Sequence, residues 1–137
     1  VRGDLKVDEH HTVEDTAIVL GECFAKALGS KKGIERYGFA LPMDDAKAEV
    51  LLDFGGRTWL EWGVTLKREY VGDFPTEMAR HFFASFCQSG LCNLHISAQG
   101  ENTHHILEAV FKAFARAVRQ AIRQTGGGIP SSKGCLA

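Results

Sequence analysis

Apolar residues recur every three or four positions in three stretches of the chain, which is the spacing of an amphipathic helix. The first stretch stops at Gly29, the second follows Pro75, and the third follows Asn102, a residue that favours helix starts. We therefore predict three helices. Their apolar positions are Val13, Ala17, Leu20, Phe24 and Leu28, then Met78, Phe82, Phe83 and Phe86, and finally Leu107, Val110, Phe111, Phe114, Val118, Ala121 and Ile122.

Four other stretches have the composition or the alternation of strands, and they are residues 1–7, 48–54, 58–66 and 91–97. A Gly55-Gly56 turn joins the two middle ones, so we predict that they pair as a hairpin. Residues 33–45 include Gly38 and Pro42 and are predicted to form a loop, as is the tail at 129–137.

Composition restricts the class of protein. The 137 residues are 45% hydrophobic, which is enough for one ordinary domain and excludes a disordered or fibrous chain. A formal net charge of −1 removes the broad positive field that non-specific nucleic-acid binding needs. The longest stretch without Asp, Glu, Lys or Arg, residues 81–100, is too polar to span a bilayer. No Cys-x-x-Cys pair is present, so we expect free thiols in a reducing compartment.

An internal repeat becomes visible when two of the predicted helices are compared. Asp8-x-His10-His11-x-x-Glu14 matches Asn102-x-His104-His105-x-x-Glu108 at a constant offset of 94, and apolar positions follow the same offset. Each unit should hold a hairpin, a helix, a strand and a helix with two histidines. Only the second unit is complete, starting near Ala48. Since 48 − 94 is −46, we expect roughly 45 to 50 further residues before Val1 in a complete protein.

This repeat suggests a division of the chain into four parts. Residues 1–29 would be the remainder of a first half-domain repeat, and residues 30–47 a linker loop. Residues 48–126 would form the complete second repeat, and residues 127–137 a C-terminal tail.

The repeated motif has the chemistry of a metal site. Residues three or four apart share one face of a helix, so Glu14 can join His10 or His11 on one ion. Adjacent histidines diverge by about 100° and would serve two ions. His81 lies on the polar stripe of the preceding helix, and its repeat partner would fall near position −13. Six imidazoles and two carboxylates would then hold two metals, and these ligands suit Mn, Fe or Zn.

The alternative for one such motif is a solvated helix start, with the glutamate placed favourably near the positive end of the helix dipole. Recurrence on matching helices at one offset argues against it. In the last helix, Lys112 lies one turn past Glu108 and could reach into a metal site.

Basic residues also occur beside small residues, where they could converge on an anion. These segments are residues 33–38 with Arg36, the Gly55-Gly56-Arg57 turn, and the Pro130-Ser131-Ser132-Lys133-Gly134 tail. Each signal is weak alone, but together they would form a phosphate site of arginine forks with hydroxyl and ammonium donors.

Seven motifs in one order resemble the imidazoleglycerol-phosphate dehydratases of histidine biosynthesis across the whole chain. They are Asp-x-His-His-x-x-Glu-Asp, Gly-Ile-x-Arg-Tyr-Gly, Pro-Met-Asp, Gly-Arg, Leu-His-Ile, Gly-x-Asn-x-His-His-x-x-Glu-Ala-x-Phe-Lys-Ala and Pro-Ser-Ser-Lys-Gly. The resemblance implies an α+β fold of two-layer α/β half-domain repeats (ribosomal S5 domain 2-like), with helices packed between mixed sheets and the first repeat incomplete.

It also implies a hydro-lyase that removes water from imidazoleglycerol phosphate to give imidazole acetol phosphate, with two Mn²⁺ per active site. The metal ligands would be His10, His11, Glu14, His81, His104, His105 and Glu108. The catalytic residues would be Glu14, Glu108 and Lys112, and the substrate phosphate would meet Arg36, Arg57, Ser131 and Lys133. The family forms a homo-oligomer of 24 subunits with sites at subunit interfaces, and neither nucleic acid nor membrane is an expected partner.

One departure from the family is the absence of its amino-terminal segment, which carries a Phe-Leu-Asp-His helix and an early glutamate implicated in proton transfer. A second hypothesis is therefore a non-catalytic, truncated assembly module in which metals only cement subunits. A third is a dinuclear hydrolase of a phosphate ester. We expect the cytoplasm as the location, or a plastid if a targeting leader precedes Val1.

Overall fold

The computed structural model describes residues 1–39 and 42–136, and it is an α+β fold with three helices. They are α1 (His10–Leu28), α2 (Glu77–Gly90) and α3 (Thr103–Ala121), as the apolar periodicity predicts. Gly29 ends α1, and the Asn102 side chain caps α3 by accepting a hydrogen bond from the backbone N–H of His104. None of the described helices is long and apolar enough to cross a membrane.

The strands form one mixed sheet and a small separate hairpin. Their bounds are β1 (Tyr37–Gly38), β2 (Pro42–Met43), β3 (Ala46–Asp53), β4 (Trp59–Val64), β5 (Tyr70–Val71), β6 (Phe74–Pro75) and β7 (Asn93–Gln99). The sheet has the order β1-β3-β7-β4, with β2 also paired to β3, while β5 and β6 pair with each other. Strand β7 runs antiparallel to β3 and parallel to β4.

The predicted hairpin between residues 48–54 and 58–66 is wrong, because β7 lies between these two strands. Leu94 of β7 is opposite Leu52 of β3 on one side and Leu60 of β4 on the other. The connection between β3 and β4 passes around the start of β7, where the N–H of Gly56 donates to the carbonyl of Leu91. The two glycines mark the turn correctly, but strand pairing depends on a segment that is distant in sequence.

Two further predictions of local structure need correction. Residues 1–7 form no strand: they pair with none of the described strands and lie exposed beside the start of α1. Thr12 fastens them there by donating a hydrogen bond to the carbonyl of Asp4. Residues 30–47, expected as a linker loop, contain β1, β2 and the first residues of β3, all of which belong to the sheet. The described tail after residue 128 has neither helix nor strand, as predicted.

Helices α2 and α3 cover one face of the sheet. Burial alternates along β3 and β7, so that Val50, Leu94 and Ile96 are buried while the opposite face is open. Aromatic rings fill the space between the helices: Phe83 and Phe86 lie with their ring centroids 5.2 and 5.0 Å from that of Phe114. The four cysteines are free thiols, of which Cys87 and Cys92 are buried and Cys23 and Cys135 are exposed.

Helix α1 packs on α2 through a glycine contact. A methyl group placed on Gly21 would lie 2.7 Å from both the backbone nitrogen of Gly90 and the carbonyl oxygen of Phe86. The two backbones therefore approach more closely than any larger residue allows. Phe24, one turn further along α1, stacks on Phe54 and meets the edge of Phe86. This contact fixes the position of α1, and with it the first histidine motif, relative to α2.

Candidate metal centre

Three predicted metal ligands come together where α1 and α2 begin. His10 and Glu14 lie one turn apart on α1, and α2 places His81 opposite them. The Nε2 atom of His81 is 3.2 Å from Oε1 of Glu14, and Nε2 of His10 is 4.0 Å from Oε2 of the same carboxylate. One ligand atom from each residue lies within 4.8 Å of the other two. With metal–ligand bonds of about 2.1 Å, a small contraction of this cluster would surround one ion.

The nitrogen of His81 favours a metal over a simple ion pair. Nε2 is buried and has no hydrogen-bond partner among the described residues. Oε1 of Glu14 lies near it, but the geometry of this contact is unsuitable for a hydrogen bond. A buried polar atom without a partner costs roughly 1 to 3 kcal/mol. A divalent cation between the two groups would satisfy both. Two imidazoles and a carboxylate suit Mn, Fe or Zn, so the residues present fit such an ion.

His11 is not part of this cluster. Its ring lies 6.1 Å from that of His10 at 81°, and its side chain is exposed. Neighbouring residues point about 100° apart around a helix axis, so the two side chains leave α1 in different directions. His11 therefore points to a different place on the surface, as the two-site interpretation requires.

The second motif has the same local geometry as the first. Asp8 accepts a hydrogen bond from the N–H of His10 at 2.9 Å, and Asn102 does the same for His104 at 2.8 Å. The rings of His104 and His105 are again 6.1 Å apart, at 80°. His104 approaches Glu108 at 3.5 Å, as His10 approaches its own glutamate. Among the described residues, however, only the first motif gains a third ligand within the chain.

Glu108 has a second partner one turn further along α3. Nζ of Lys112 lies 2.6 Å from Oε1 of Glu108, and this contact holds the pKa of the carboxyl below its usual value. Glu108 therefore stays ionised, which is the form that accepts protons and binds cations. A shallow cavity of about 360 Å³ lies beside this pair, lined by Val71, Phe74, His104, Leu107, Glu108 and Phe111.

Asp45 is a contributor that the sequence reasoning missed. Its Oδ1 is hydrogen-bonded to Nδ1 of His105, and its Oδ2 accepts hydrogen bonds from the backbone N–H groups of Glu101 and Asn102. These bonds hold the pKa of Asp45 below its ordinary value, and the hydrogen bond from His105 is the largest cause. The same bond raises the pKa of His105. Asp45 directly follows the Pro-Met-Asp motif, but it is 60 residues from His105 and no spacing connects the two.

The three segments predicted to bind phosphate meet at Arg36. Its Nε and Nη2 atoms donate to the Asp53 carboxylate at 2.6 and 2.9 Å, and Nη1 donates to the carbonyl of Pro130 at 2.9 Å. A methyl group on Gly55 would lie 3.0 Å from Nη2, so the 55–57 turn is also adjacent. The structure thus gives Arg36 an internal partner rather than an open fork. Its contact with a phosphate stays a prediction.

The other three predicted phosphate ligands are less constrained. Ser131 follows the carbonyl that Arg36 binds, and its hydroxyl accepts from the N–H of Lys133 at 3.2 Å. Arg57 and Lys133 are exposed. Arg57 does not lie at a hairpin tip, since β3 and β4 do not pair.

The mixed sheet, its helical layer and the histidine–carboxylate cluster define an α+β protein with a candidate metal centre shared by two helices. The sequence profile of the family described as "Imidazoleglycerol-phosphate dehydratase" matches residues 1–118. The chain therefore belongs to the imidazoleglycerol-phosphate dehydratase family.

Curated relatives agree with this assignment. The chain is 56% identical over 139 residues to the "Histidine biosynthesis bifunctional protein HisB" of Spirosoma linguale and 58% identical over 138 residues to that of Bacteroides fragilis. Each alignment covers 99% of this chain but only 36% and 37% of the relative. The chain thus corresponds to little more than a third of these bifunctional proteins.

Two solved structures have the same fold. The imidazoleglycerol-phosphate dehydratase of Staphylococcus aureus matches with a TM-score of 0.83 and 39% identity, covering 89% of this chain and 72% of that one. The enzyme of Pyrococcus furiosus, solved in complex with (S)-C348, matches with a TM-score of 0.85 and 32% identity. That alignment covers 98% of this chain and 74% of the other.

Proposed function

We propose that this chain provides the catalytic chemistry of imidazoleglycerol-phosphate dehydratase, which removes water from imidazoleglycerol phosphate to give imidazole acetol phosphate. The observation that carries the proposal is the cluster of His10, Glu14 and His81 in a chain of this family, with the buried Nε2 of His81 lacking a hydrogen-bond partner. Such a nitrogen is best explained as a ligand.

The proposal assigns the seven ligands to two Mn²⁺ ions. His10, Glu14 and His81 would hold one ion, and the exposed His11, together with His104, His105 and Glu108, would contribute to the sites that copies of the chain complete together. When bound, the ions supply Lewis acidity, which makes removal of a proton from the substrate less costly than in water. Because, among the described residues, only the first motif gains a third ligand within the chain, the proposal places the remaining sites between copies of the chain, in the homo-oligomer of 24 subunits that the family resemblance implies.

The chain's own residues would handle the protons and the phosphate. Glu108 is kept ionised by Lys112, so its Oε1 or Oε2 atom can accept the proton that leaves carbon. Lys112 presents a positive charge beside that carboxylate and would contact the substrate, and the proton taken by Glu108 would leave with the hydroxyl as water. Glu14 would act at the first site in a similar way. Arg57, Ser131 and Lys133 offer guanidinium, hydroxyl and ammonium donors to the phosphate, next to the segments that Arg36 joins.

A second candidate is a non-catalytic assembly module in which the metals only cement subunits. The observation that favours it is that, among the described residues, the second motif gains no third ligand within the chain, so its histidines can serve a metal shared with another copy. For both candidates we propose the cytoplasm as the location. One assay distinguishes the dehydratase from the assembly module.

The test is dehydration of imidazoleglycerol phosphate by the Mn²⁺-loaded protein, followed as formation of the ketone product. We expect turnover that is lost with chelator and falls by at least about a hundredfold in His81→Gln. His95→Gln is the matched control, since His95 is an exposed histidine on β7. A metal-dependent oligomer without any turnover would contradict the dehydratase proposal and support the assembly module.

A further inference from the structure

The hydrogen bond between Asp45 and His105 determines which nitrogen of His105 can bind a metal. Asp45 contacts Nδ1 and leaves Nε2 as the other nitrogen of the ring. An ionised carboxylate only accepts hydrogen bonds, so the proton of a neutral His105 must be on Nδ1. The lone pair is then on Nε2, which is the atom available to a cation.

Asp45 is itself held in place from two sides. Its Oδ2 accepts hydrogen bonds from the N–H groups of Glu101 and Asn102, which belong to the turn that leads into α3. Immediately after it, Ala46 begins β3 and packs against Gly100, where an added methyl group would lie 2.9 Å from the Ala46 side chain. The carboxylate therefore joins the start of a sheet strand to the start of the histidine helix. It cannot follow His105 if that ring rotates.

The arrangement is specific to the second histidine of the motif. His104, the neighbouring residue, faces Glu108 through its Nε2, whereas His105 faces Asp45 through its Nδ1. The two adjacent histidines thus present different nitrogens to their carboxylates. A carboxylate on the rear nitrogen is the usual means by which proteins orient a histidine ligand and increase its basicity.

We propose that Asp45 is a positioning residue, which fixes the Nδ1–H tautomer and the ring orientation of His105 so that Nε2 is ready to ligate a divalent cation. This inference rests on the proposed function in one respect, namely that His105 is a metal ligand. Asp45 itself would touch neither the metal nor the substrate.

The variant Asp45→Asn makes the proposal testable because an amide cannot reproduce both sets of hydrogen bonds. If its oxygen accepts from Glu101 and Asn102, its NH₂ group faces Nδ1 and drives the ring proton to Nε2. If the amide is reversed, its NH₂ group meets two N–H donors. We therefore expect the Asp45→Asn protein to lose the Nδ1–H tautomer, whereas a role limited to stability would leave the tautomer unchanged.

The first measurement is solid-state ¹⁵N NMR of the intact, metal-free protein labelled at its histidine rings, with the His105 signals assigned from His105→Gln. The expected result is a protonated Nδ1 in the wild type and a loss of that state in Asp45→Asn. The second is the Mn²⁺ dissociation constant from competition with a chelating dye. We expect a 10- to 100-fold weaker constant at the affected site, the effect typical of removing such an orienting carboxylate.

Asp44→Asn is the matched control, because it removes the neighbouring charge but not the hydrogen bond to His105. It should keep both the tautomer and the affinity within about twofold. Asp45→Asn with the wild-type tautomer and affinity would overturn the inference, as would a His105→Gln protein that binds Mn²⁺ like the wild type. A wild type without dehydratase turnover, but with the expected effects of Asp45→Asn, would reject the proposed function and leave this inference standing.

Discussion

Replacing Gly21 with alanine should separate the two helices that carry the first metal cluster. The added methyl group would lie 2.1 Å from Oγ of Ser89 and 2.7 Å from two backbone atoms, the nitrogen of Gly90 and the oxygen of Phe86. The serine can rotate, but the backbone of α2 cannot. Helix α1 must therefore move away by about 0.7 Å to reach an ordinary contact distance of roughly 3.4 Å.

Two effects of opposite sign act on the stability of the Gly21→Ala variant. Alanine is favoured over glycine inside a helix by roughly 0.5 to 1 kcal/mol. Overpacking of a close contact costs about 1 to 3 kcal/mol. We expect the overpacking to win, with a net loss of about 1 to 2 kcal/mol in the free energy of unfolding.

The same movement should weaken metal binding. Glu14 lies seven residues before Gly21 on α1, and His81 lies on α2, so a shift of the first helix against the second changes the spacing of the ligands. Metal sites tolerate errors of only about 0.2 Å in ligand distance. We therefore expect weaker Mn²⁺ binding in addition to the loss of stability.

The assays are urea denaturation followed by circular dichroism and a Mn²⁺ titration of the same samples. Gly128→Ala is the matched control, since it adds the same methyl group into open space at a glycine without positive φ. Ser89→Ala should not rescue Gly21→Ala, because the backbone contacts remain. A Gly21→Ala protein as stable as the wild type, with unchanged Mn²⁺ affinity, would refute the reasoning.

Three other predictions concern packing and reactivity. Arg36→Ala leaves the largely buried Asp53 carboxylate without its partner, so the free energy of unfolding should fall by about 3 kcal/mol. Urea denaturation measures this, and an unchanged transition would show that the pair is dispensable. Phe83→Ala empties the centre of the aromatic cluster and should cost about 3 to 5 kcal/mol, and a loss below 1 kcal/mol would contradict this packing. The hydrogen bond with Cys87 and burial raise the pKa of the Cys92 thiol, so this thiol stays protonated at pH 8. Mass spectrometry should therefore find iodoacetamide adducts only on the two exposed cysteines, Cys23 and Cys135, until urea is added.

The helices and strands could be predicted from sequence to the extent that they depend on local pattern. Apolar spacing locates all three helices, and Gly29 and Asn102 mark two of their ends. Strand pairing could not be predicted in this way, because the partner of β3 is β7, more than forty residues later. Residues 1–7 have a strand-like composition, but a strand also needs a neighbour with free hydrogen-bonding groups, and local composition does not report one.

The candidate site likewise has one part that local spacing predicts and another part that depends on the fold. Spacing on one helix brings His10 to Glu14, and the polar stripe of α2 identifies His81. Contacts between distant segments could not be predicted from the sequence. These are the hydrogen bond between Asp45 and His105 and the one between Asp53 and the guanidinium of Arg36. Both contacts use residue types that are common on surfaces, so only the fold distinguishes them from solvated charges.

The central claim, that His10, Glu14 and His81 together bind a divalent cation, is tested most directly by anomalous X-ray diffraction from crystals grown with Mn²⁺ and recorded on both sides of the manganese absorption edge. The account predicts a manganese peak about 2.2 Å from Nε2 of His10, Nε2 of His81 and a carboxylate oxygen of Glu14, and its loss in His81→Gln. Crystals of a Mn²⁺-binding protein in which every manganese peak lies away from these three residues would contradict it.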